Sequence, residues 1–572
     1  MKKRLIILTL SVLISTFFVT GQQTFQNVAP QLGITGIIGL GHSVGWGDID
    51  NDGDPDLGLG DQTGNGYWFF RNDSSVFTNI TSSAGLNGMT ANKTIFAEFT
   101  GDDYNDLLIR NFNSYGEHTS LFLNNADGTF TNITGQAMLP DSGVYNVADF
   151  NNDGFLDVLS MDILDWGNIS LQYGNGDGTF QPLMQIGVVW GYTPLAVFDY
   201  DRDGYMDILW SPDAGAYHPT TLLRNNGDGT FTDVTDDAGI VFNTQNNSLD
   251  VGDINNDGFI DIYFGGSDAK LYLNNGDGTF TDITASSGAL GQQDSDRTVT
   301  FNDYNNDGWL DLFTSWHIVS NQMFKNNGDN TFTNVAAELG LTGSGFGDFF
   351  GAGWADYNND GAIDLMAAGH FDQWVLFENH NCPGNSLFVN LKGVNSNFNG
   401  IGAQADMWIN GQRISRNMLP DPGVQDFSQL RLHFGMGEAT EADSLIIYWP
   451  SGSVQKLYNV QAKQDLTIVE DETTGNNKYR DFEEIELLLS PNPVNDYARL
   501  YFNLRNPQKV QADLYTLTGQ KVMGILNGYF PNGKQEVSFS TDELKPGIYL
   551  LRIETDKTTT AKIIKIIKMS AP

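Results

Sequence analysis

The chain has 572 residues, with 30 Lys and Arg against 70 Asp and Glu and a formal charge of −40 at pH 7. Such a charge argues against nucleic acid and anionic membranes as natural partners and favours cations. The length suits several domains, and 64 glycines, 12% aromatics and the absence of long helix-forming runs point to a predominantly β chain.

In chain order, residues 1–21 open with Lys2, Lys3 and Arg4, continue through an apolar run from Leu5 to Val19 and end in small residues. That pattern predicts a cleaved secretion signal, because the run is shorter than the roughly 20 apolar residues of a membrane span. Cys382 is the single cysteine, so no internal disulfide braces an exported chain. A structural free thiol is expected there.

Seven acidic segments follow: DIDNDGDPD from Asp48, EFTGDDYND from Glu98, DFNNDGFLD from Asp149, DYDRDGYMD from Asp199, DINNDGFID from Asp253, DYNNDGWLD from Asp303 and DYNNDGAID from Asp356. Their starts lie 50, 51, 50, 54, 50 and 53 residues apart, a period typical of propeller blades or a solenoid. Each is followed by a short apolar strand and a hairpin of the type LYLNNGDGTFTDIT, Leu271 to Thr284, whose Asn-Gly-Asp-Gly turn supplies positive φ angles. With the strand before the loop this makes four strands per repeat, the content of one blade. The return strand beginning with phenylalanine recurs at Phe77, Phe130, Phe180, Phe231, Phe280 and Phe332, but not after Asp356. Its seventh copy is Thr24 to Val28, so a closed seven-bladed ring over 22–380 is expected, with the N-terminal strand completing the last blade. Closure also removes exposed sheet edges.

Numbered from the first acid, each loop places side-chain oxygens at positions 1, 3, 5 and 9 and, in all but the second, glycine at 6. This spacing wraps a chain around one hard cation, with a backbone carbonyl available at position 7. The expected ligands are Asp48, Asp50, Asp52 and Asp56; Glu98, Asp102 and Asp106; Asp149, Asn151, Asp153 and Asp157; Asp199, Asp201, Asp203 and Asp207; Asp253, Asn255, Asp257 and Asp261; Asp303, Asn305, Asp307 and Asp311; and Asp356, Asn358, Asp360 and Asp364. Oxygen-only donors in flexible loops favour Ca2+ over zinc, copper or magnesium. One loop alone would read as an Asx-turn without metal; seven at one spacing favour up to seven ions. The Glu98 loop, with Thr100 at position 3 and Asp103 in place of glycine, is expected to be the weakest.

Loops at the opposite strand ends carry Trp166, Trp210, Tyr217, His218, Trp316, His317, His370, Phe371 and Trp374. These rings either form a face that stacks on sugars or anchors a peptide, or fill the inner channel.

The loops and hairpins resemble the FG-GAP or VCBS repeats of integrin α-type propellers, over about residues 24–380. Residues 385–470 resemble the ASPIC/UnbV domain of the cartilage acidic protein family, through SLFVNLKG from Ser386, NGIGA from Asn399, HFGMG from His433, WPSG from Trp449 and QDLTI from Gln464. Alternation in Leu445 to Trp449 independently reads as a small β domain. Asn417 to Asp426 departs from that family's Gly-Tyr-Ser-rich pattern. Residues 471–484 are polar and charged and read as a linker. Beyond them SPNPVND from Ser490, LYTLTGQ from Leu514 and LKPGIYL from Leu544 are similar to the C-terminal sorting domain of type IX secretion cargo, a β-sandwich over 485–572. That resemblance implies passage through the periplasm of a Gram-negative bacterium, handling by the type IX machinery, and release or attachment at the outer surface.

No HExxH, nucleophile elbow or P-loop accompanies the seven histidines, and His433 sits in an apparent strand as a packing residue. The expectation is a secreted, calcium-binding all-β adhesion protein for an extracellular protein or polysaccharide, without catalytic residues. A polysaccharide lyase or hydrolase on the same scaffold is the alternative.

Overall fold

The computed structural model describes residues 23–471 and 488–568, apart from 36–37, 62–65, 114–115, 141, 163–166, 189–193, 212–219, 242–247, 267, 292–295, 317–319, 343–348, 421–425, 491–493, 495–496, 505–507, 517–520, 532, 543 and 556–561. The expected signal and nearly all of the linker lie outside these residues. The chain divides into two compact units, Met1–Thr474 and Gly475–Pro572.

Within the first unit, each repeat folds as an antiparallel four-stranded sheet. The fifth consists of Leu249–Gly252, Asp261–Phe264, Lys270–Asn274 and Phe280–Asp282, paired in that order. Leu249–Gly252 and Asp261–Phe264 are buried throughout, as strands covered on both faces are. The last set pairs Phe349–Ala355, Asp364–Gln373, Val375–His380 and then Thr24–Asn27, with Thr24 opposite His380 and Asn27 opposite Phe377. The N-terminal strand therefore completes the seventh sheet. Among the described residues five of these four-strand sets stand as separate sheets, while the first and last join in one larger sheet through Ile38 opposite Gln373 and Leu40 opposite His370, and the fold is an all-β propeller.

Ring closure is carried by a contact that recurs at five of the joints. The residue at loop position 2 packs on the return-strand phenylalanine of the next sheet: Phe99 on Phe180 at 6.0 Å, Phe150 on Phe231 at 6.4 Å and Tyr200 on Phe280 at 6.4 Å. The same contact joins Tyr304 to Phe25 at 6.1 Å and Tyr357 to Phe77 at 5.8 Å, across the chain ends. Such pairs contribute about 0.5–1.5 kcal/mol each beyond area burial.

The third repeat departs from the expected pattern. Phe180 forms only an isolated bridge to Gly174, and the fourth strand is Met184–Val188. Pro182 intervenes, and a residue without an N–H interrupts a ladder at that point.

Residues 385–469 form two sheets in the same unit as the ring. One orders Leu432–Gly437, Asn385–Lys392 and Asp465–Val469; the other orders Gln412–Asn417, Gln404–Ile409, Glu441–Tyr448 and Val454–Gln461. Part of the chain between Asn417 and Leu432 lies inside the ring. There Asp426–Phe427 pairs in parallel with Val44–Gly45, against the innermost strands of the first, second and seventh sheets. Phe427 is fully buried.

The second unit is a β-sandwich. Its sheets order Leu488–Ser490, Tyr497–Leu504 and Gly533–Ser540, and Lys521–Phe530, Gln508–Thr516, Gly547–Thr555 and Lys562–Lys568. Leu500, Phe502, Val510, Leu514, Leu551 and Ile553 share one core between them.

Candidate metal centres

Each acidic loop is held by its own carboxylates. In the Asp253 loop, Asp253 accepts the N–H groups of Asp257 at 3.0 Å and Gly258 at 2.7 Å, while Asp261 accepts those of Ile254 at 3.0 Å and Asn274 at 2.8 Å. The loops from Asp149, Asp199 and Asp356 repeat this pattern. The first and ninth residues are thereby aimed inward. The turn needs two left-handed residues. Glycine at position 6 has φ near 90°, and position 4 is also left-handed, at Asn51, Asn152, Arg202, Asn256, Asn306 and Asn359. In the Glu98 loop the glycine has moved to position 4, Gly101, and Asp103 adopts φ 74° at position 6.

The two loops with four acids bring carboxylates together most closely. Ligand oxygens of Asp48, Asp50 and Asp56, and those of Asp199, Asp201 and Asp203, lie within 4.8 Å of one another. Asp48 Oδ1, Asp50 Oδ1 and Asp201 Oδ1 are buried without a hydrogen-bond partner. Burial, with neighbouring acids adding repulsion, raises Asp199 and Asp157 to about 8 and Asp106, Asp253 and Asp356 to about 7. Asp56, Asp207, Asp261, Asp311 and Asp364 are raised well above the usual carboxylate range by the same burial. Oxygens that converge, lack donors and resist ionisation when bare are the donor set a hard divalent cation fits.

The remaining loops have Asn or Thr at position 3. Asn151 and Asn255 each donate Nδ2 to the acid at position 5, at 2.9 Å, leaving their own Oδ1 turned to the loop amide. In the Glu98 loop, Glu98 Oε1 already accepts the amides of Thr100, Gly101 and Asp102. Arg224 pairs with Asp201 and Asp203 at 2.8 and 2.9 Å, and Lys325 with Asp307 at 3.3 Å.

Two features went unseen in the sequence. In every repeat but the third, where Gly174 stands, an Asn entering the hairpin turn is a clamp: Asn124, Asn225, Asn274, Asn326 and Asn379 donate Nδ2 to the position 2 carbonyl of the preceding loop at 2.7–2.8 Å. Asn72 does the same to Tyr357, from the first sheet to the seventh. Position 4 supplies a second chain of contacts, in which Asn51, Asn152, Asn256 and Asn306 donate to the position 6 carbonyl of the next loop, at 2.8–3.0 Å. Asn359 closes that chain on Gly53 at 3.4 Å. The recurrence of Asn at both places was the available signal.

The 385–470 domain sits on the loop-bearing face of the ring. Asn399 bonds Glu98 and Asn105, Gly154 approaches Asn395, Ser386 donates to Gly361, and His433 lies 2.8 Å from Asn306. Buried Arg416 reaches Asn256, Gly308 and Asp303, the last at 3.4 Å. His433 is held neutral by burial, with its pKa lowered to about 3, which agrees with a packing role. The Cys382 thiol is partly exposed and donates to the Tyr304 carbonyl at 3.3 Å.

Of the aromatic positions, Trp210 is buried against Gly187, and Trp374 is buried beside Trp68 at 6.1 Å. Both pack between neighbouring blades rather than presenting a ring to solvent. Trp316, His370 and Phe371 lie at strand ends away from the acidic loops. Trp166, Tyr217, His218 and His317 lie outside the described residues.

Comparison with known families agrees with this architecture. Residues 98–160, 149–210, 214–264 and 260–314 match the FG-GAP-like repeat, residues 393–475 match ASPIC and UnbV, and residues 489–568 match the secretion system C-terminal sorting domain. The chain is thus an FG-GAP-like repeat propeller joined to an ASPIC and UnbV domain. It also carries a type IX sorting domain, which makes it a secreted or outer-surface protein. Among the described residues no helix is long and apolar enough to cross a membrane. No curated protein matches the chain. Among solved structures it is similar to PorZ, described as an essential bacterial surface component of the type-IX secretion system of human oral-microbiomic Porphyromonas gingivalis, at 9% identity over 90% of this chain and 91% of that one, TM-score 0.19. It is also similar to the BSP domain of a biofilm associated protein, at 11% identity over 94% and 99%, TM-score 0.13. TM-scores this low define no common arrangement.

Proposed function

We propose that the protein is a calcium-stabilised adhesion protein of the cell exterior, binding a protein or polysaccharide ligand. The observation that carries the calcium reading is the convergence of Asp48, Asp50 and Asp56 with two carboxylate oxygens left without donors. Ca2+ would supply the positive charge these loops lack, while the chain's part is to hold first and ninth residues at fixed separation through loop amides. With the loop face occupied by the 385–470 domain, the opposite strand ends are the surface on which ligand contacts fall, and Trp316 lies there. Glycan-array and pull-down screening with and without calcium, repeated on Trp316→Ala, tests the reading. Calcium-dependent capture lost in the variant supports it, and no capture under any condition contradicts it.

A further inference from the structure

The seven loops differ in how the 385–470 domain covers them. Asn51 and Asn359, at position 4 of the first and seventh loops, are exposed, as are Asp52 and Asp360 at position 5. The equivalent Asn256 and Asn306 are 8% and 2% exposed, and Asp257 and Asp307 at position 5 are half-buried. Over the Asp253 loop lies Arg413, whose Nε donates to Asn256 O at 3.0 Å and whose guanidinium would meet a Cβ on Gly258 at 2.9 Å. Ser415 N–H donates to Asn256 Oδ1 at 3.0 Å. Over the Asp303 loop lie Ile414, which would meet a Cβ on Gly308 at 2.8 Å, and Gly435, whose own Cβ position falls 2.1 Å from Asp303 Oδ2. Gly437 N–H donates to Asn306 O at 2.8 Å.

Inside the Asp303 loop one oxygen stands out. At the closing position the other six acids accept the position 2 amide through Oδ2. Asp311 Oδ2, in a residue 1% exposed, has no hydrogen-bond partner. A buried carboxylate oxygen without a donor is costly unless a cation takes it.

We infer that the Asp253 and Asp303 loops are sealed cation sites, whose ions exchange with solvent only when the strands Gln412–Asn417 and Leu432–Gly437 lift from the ring. This rests on the calcium reading above and adds two kinetic classes to it. An ion in the first or seventh loop has a solvent path past exposed residues; one in the sealed loops has Arg413, Ile414 and Gly435 across that path. Exit then follows domain opening, a sub-global event far rarer than loop fluctuation.

The test loads the full chain with radioactive Ca2+, adds excess EGTA and follows retained label. Two ions per chain should leave at least about tenfold more slowly than the rest, with amide exchange in Gln412–Asn417 proceeding at the same slow rate. Arg413→Ala, which trims the cover without touching a proposed ligand, should speed the slow phase, and Arg416→Ala should do so further. Should Arg416→Ala fail to fold, Arg413→Ala and the wild-type amide rates still decide. Release of all bound label in one fast phase would overturn the seal and leave calcium binding standing. A chain that binds no label would remove both, and equilibrium stoichiometry separates the two failures.

Discussion

Asn72 Nδ2 lies 2.8 Å from the carbonyl oxygen of Tyr357, 285 residues away in sequence. The same side chain takes part in its own loop, because Asn72 N–H donates to Asp56 Oδ1 at 2.8 Å. One residue therefore ties the first sheet's candidate ligand to the seventh sheet's loop. The other hairpin asparagines do this within the chain; Asn72 does it across the ring's seam.

Replacing Asn72 with alanine leaves a buried carbonyl without its donor, which costs about 1–3 kcal/mol. Asn72→Ala is expected to lower the melting temperature of the first unit, and Asn274→Ala, which breaks an internal joint at Tyr200, by a similar amount. Calorimetry with calcium held constant checks this. Equal stability of Asn72→Ala and wild type would mean that the seam is not closed in solution.

The Glu98 loop is predicted to be the poorest cation site, since Glu98 Oε1 is already taken by three loop amides and Asp103 occupies the left-handed position 6. The double substitution Thr100→Asp and Asp103→Gly restores the acid at position 3 and relieves a non-glycine residue from φ 74°. Bound calcium per chain, measured by equilibrium dialysis, should rise by about one ion, the content of a single loop of this type. An unchanged count would show that the loop's weakness lies elsewhere.

Without calcium, stability should fall as pH rises. Asp157 and Asp199 have folded pKa values of about 8 against an ordinary 3.8, so the folded chain holds protons the unfolded chain has released. Their contribution is complete below about pH 4 and is lost as pH rises through about 8. His433, with its pKa lowered to about 3, acts the other way, but only below its ordinary 6.5. Melts in EDTA between pH 6.5 and 8 therefore isolate the carboxylates. A melting temperature that rises over this range would contradict the assignment; saturating calcium should flatten or invert the trend, because the ion competes with protons.

Phe427→Ala removes a fully buried ring at the centre of the propeller, and core substitutions of this size cost about 3–5 kcal/mol. The first unit should melt earlier while the 475–572 sandwich melts unchanged, resolved by two-transition calorimetry. A first-unit transition that stays at the wild-type temperature would show that the segment does not occupy the ring in solution.

The repeat was legible because acid spacing and hairpin turns are local signals, and the displaced strand from Thr24 could be placed by counting copies. The clamps at Asn72 and Asn359 were hidden for a physical reason: in sequence they read as turn asparagines, and their partners lie in neighbouring repeats. The third repeat's return strand was misread because Phe180 kept the pattern while Pro182 broke the ladder. Least legible was Asp426–Phe427, whose place in the ring is set by a parallel pairing with Val44–Gly45 that carries no local period. Arg416 and His433 were likewise invisible as docking residues, since only the folded contact brings them to Asp303 and Asn306.

Calorimetric titration of Ca2+ into the metal-free full chain decides whether the loops hold cations. Saturable binding of six to seven ions is expected, with dissociation constants of about 10⁻⁴ to 10⁻³ M or tighter, and loss of one ion in the Asp50→Asn and Asp56→Asn double variant. Heats no different from dilution up to millimolar calcium, with the melting temperature unmoved by EDTA, would contradict it.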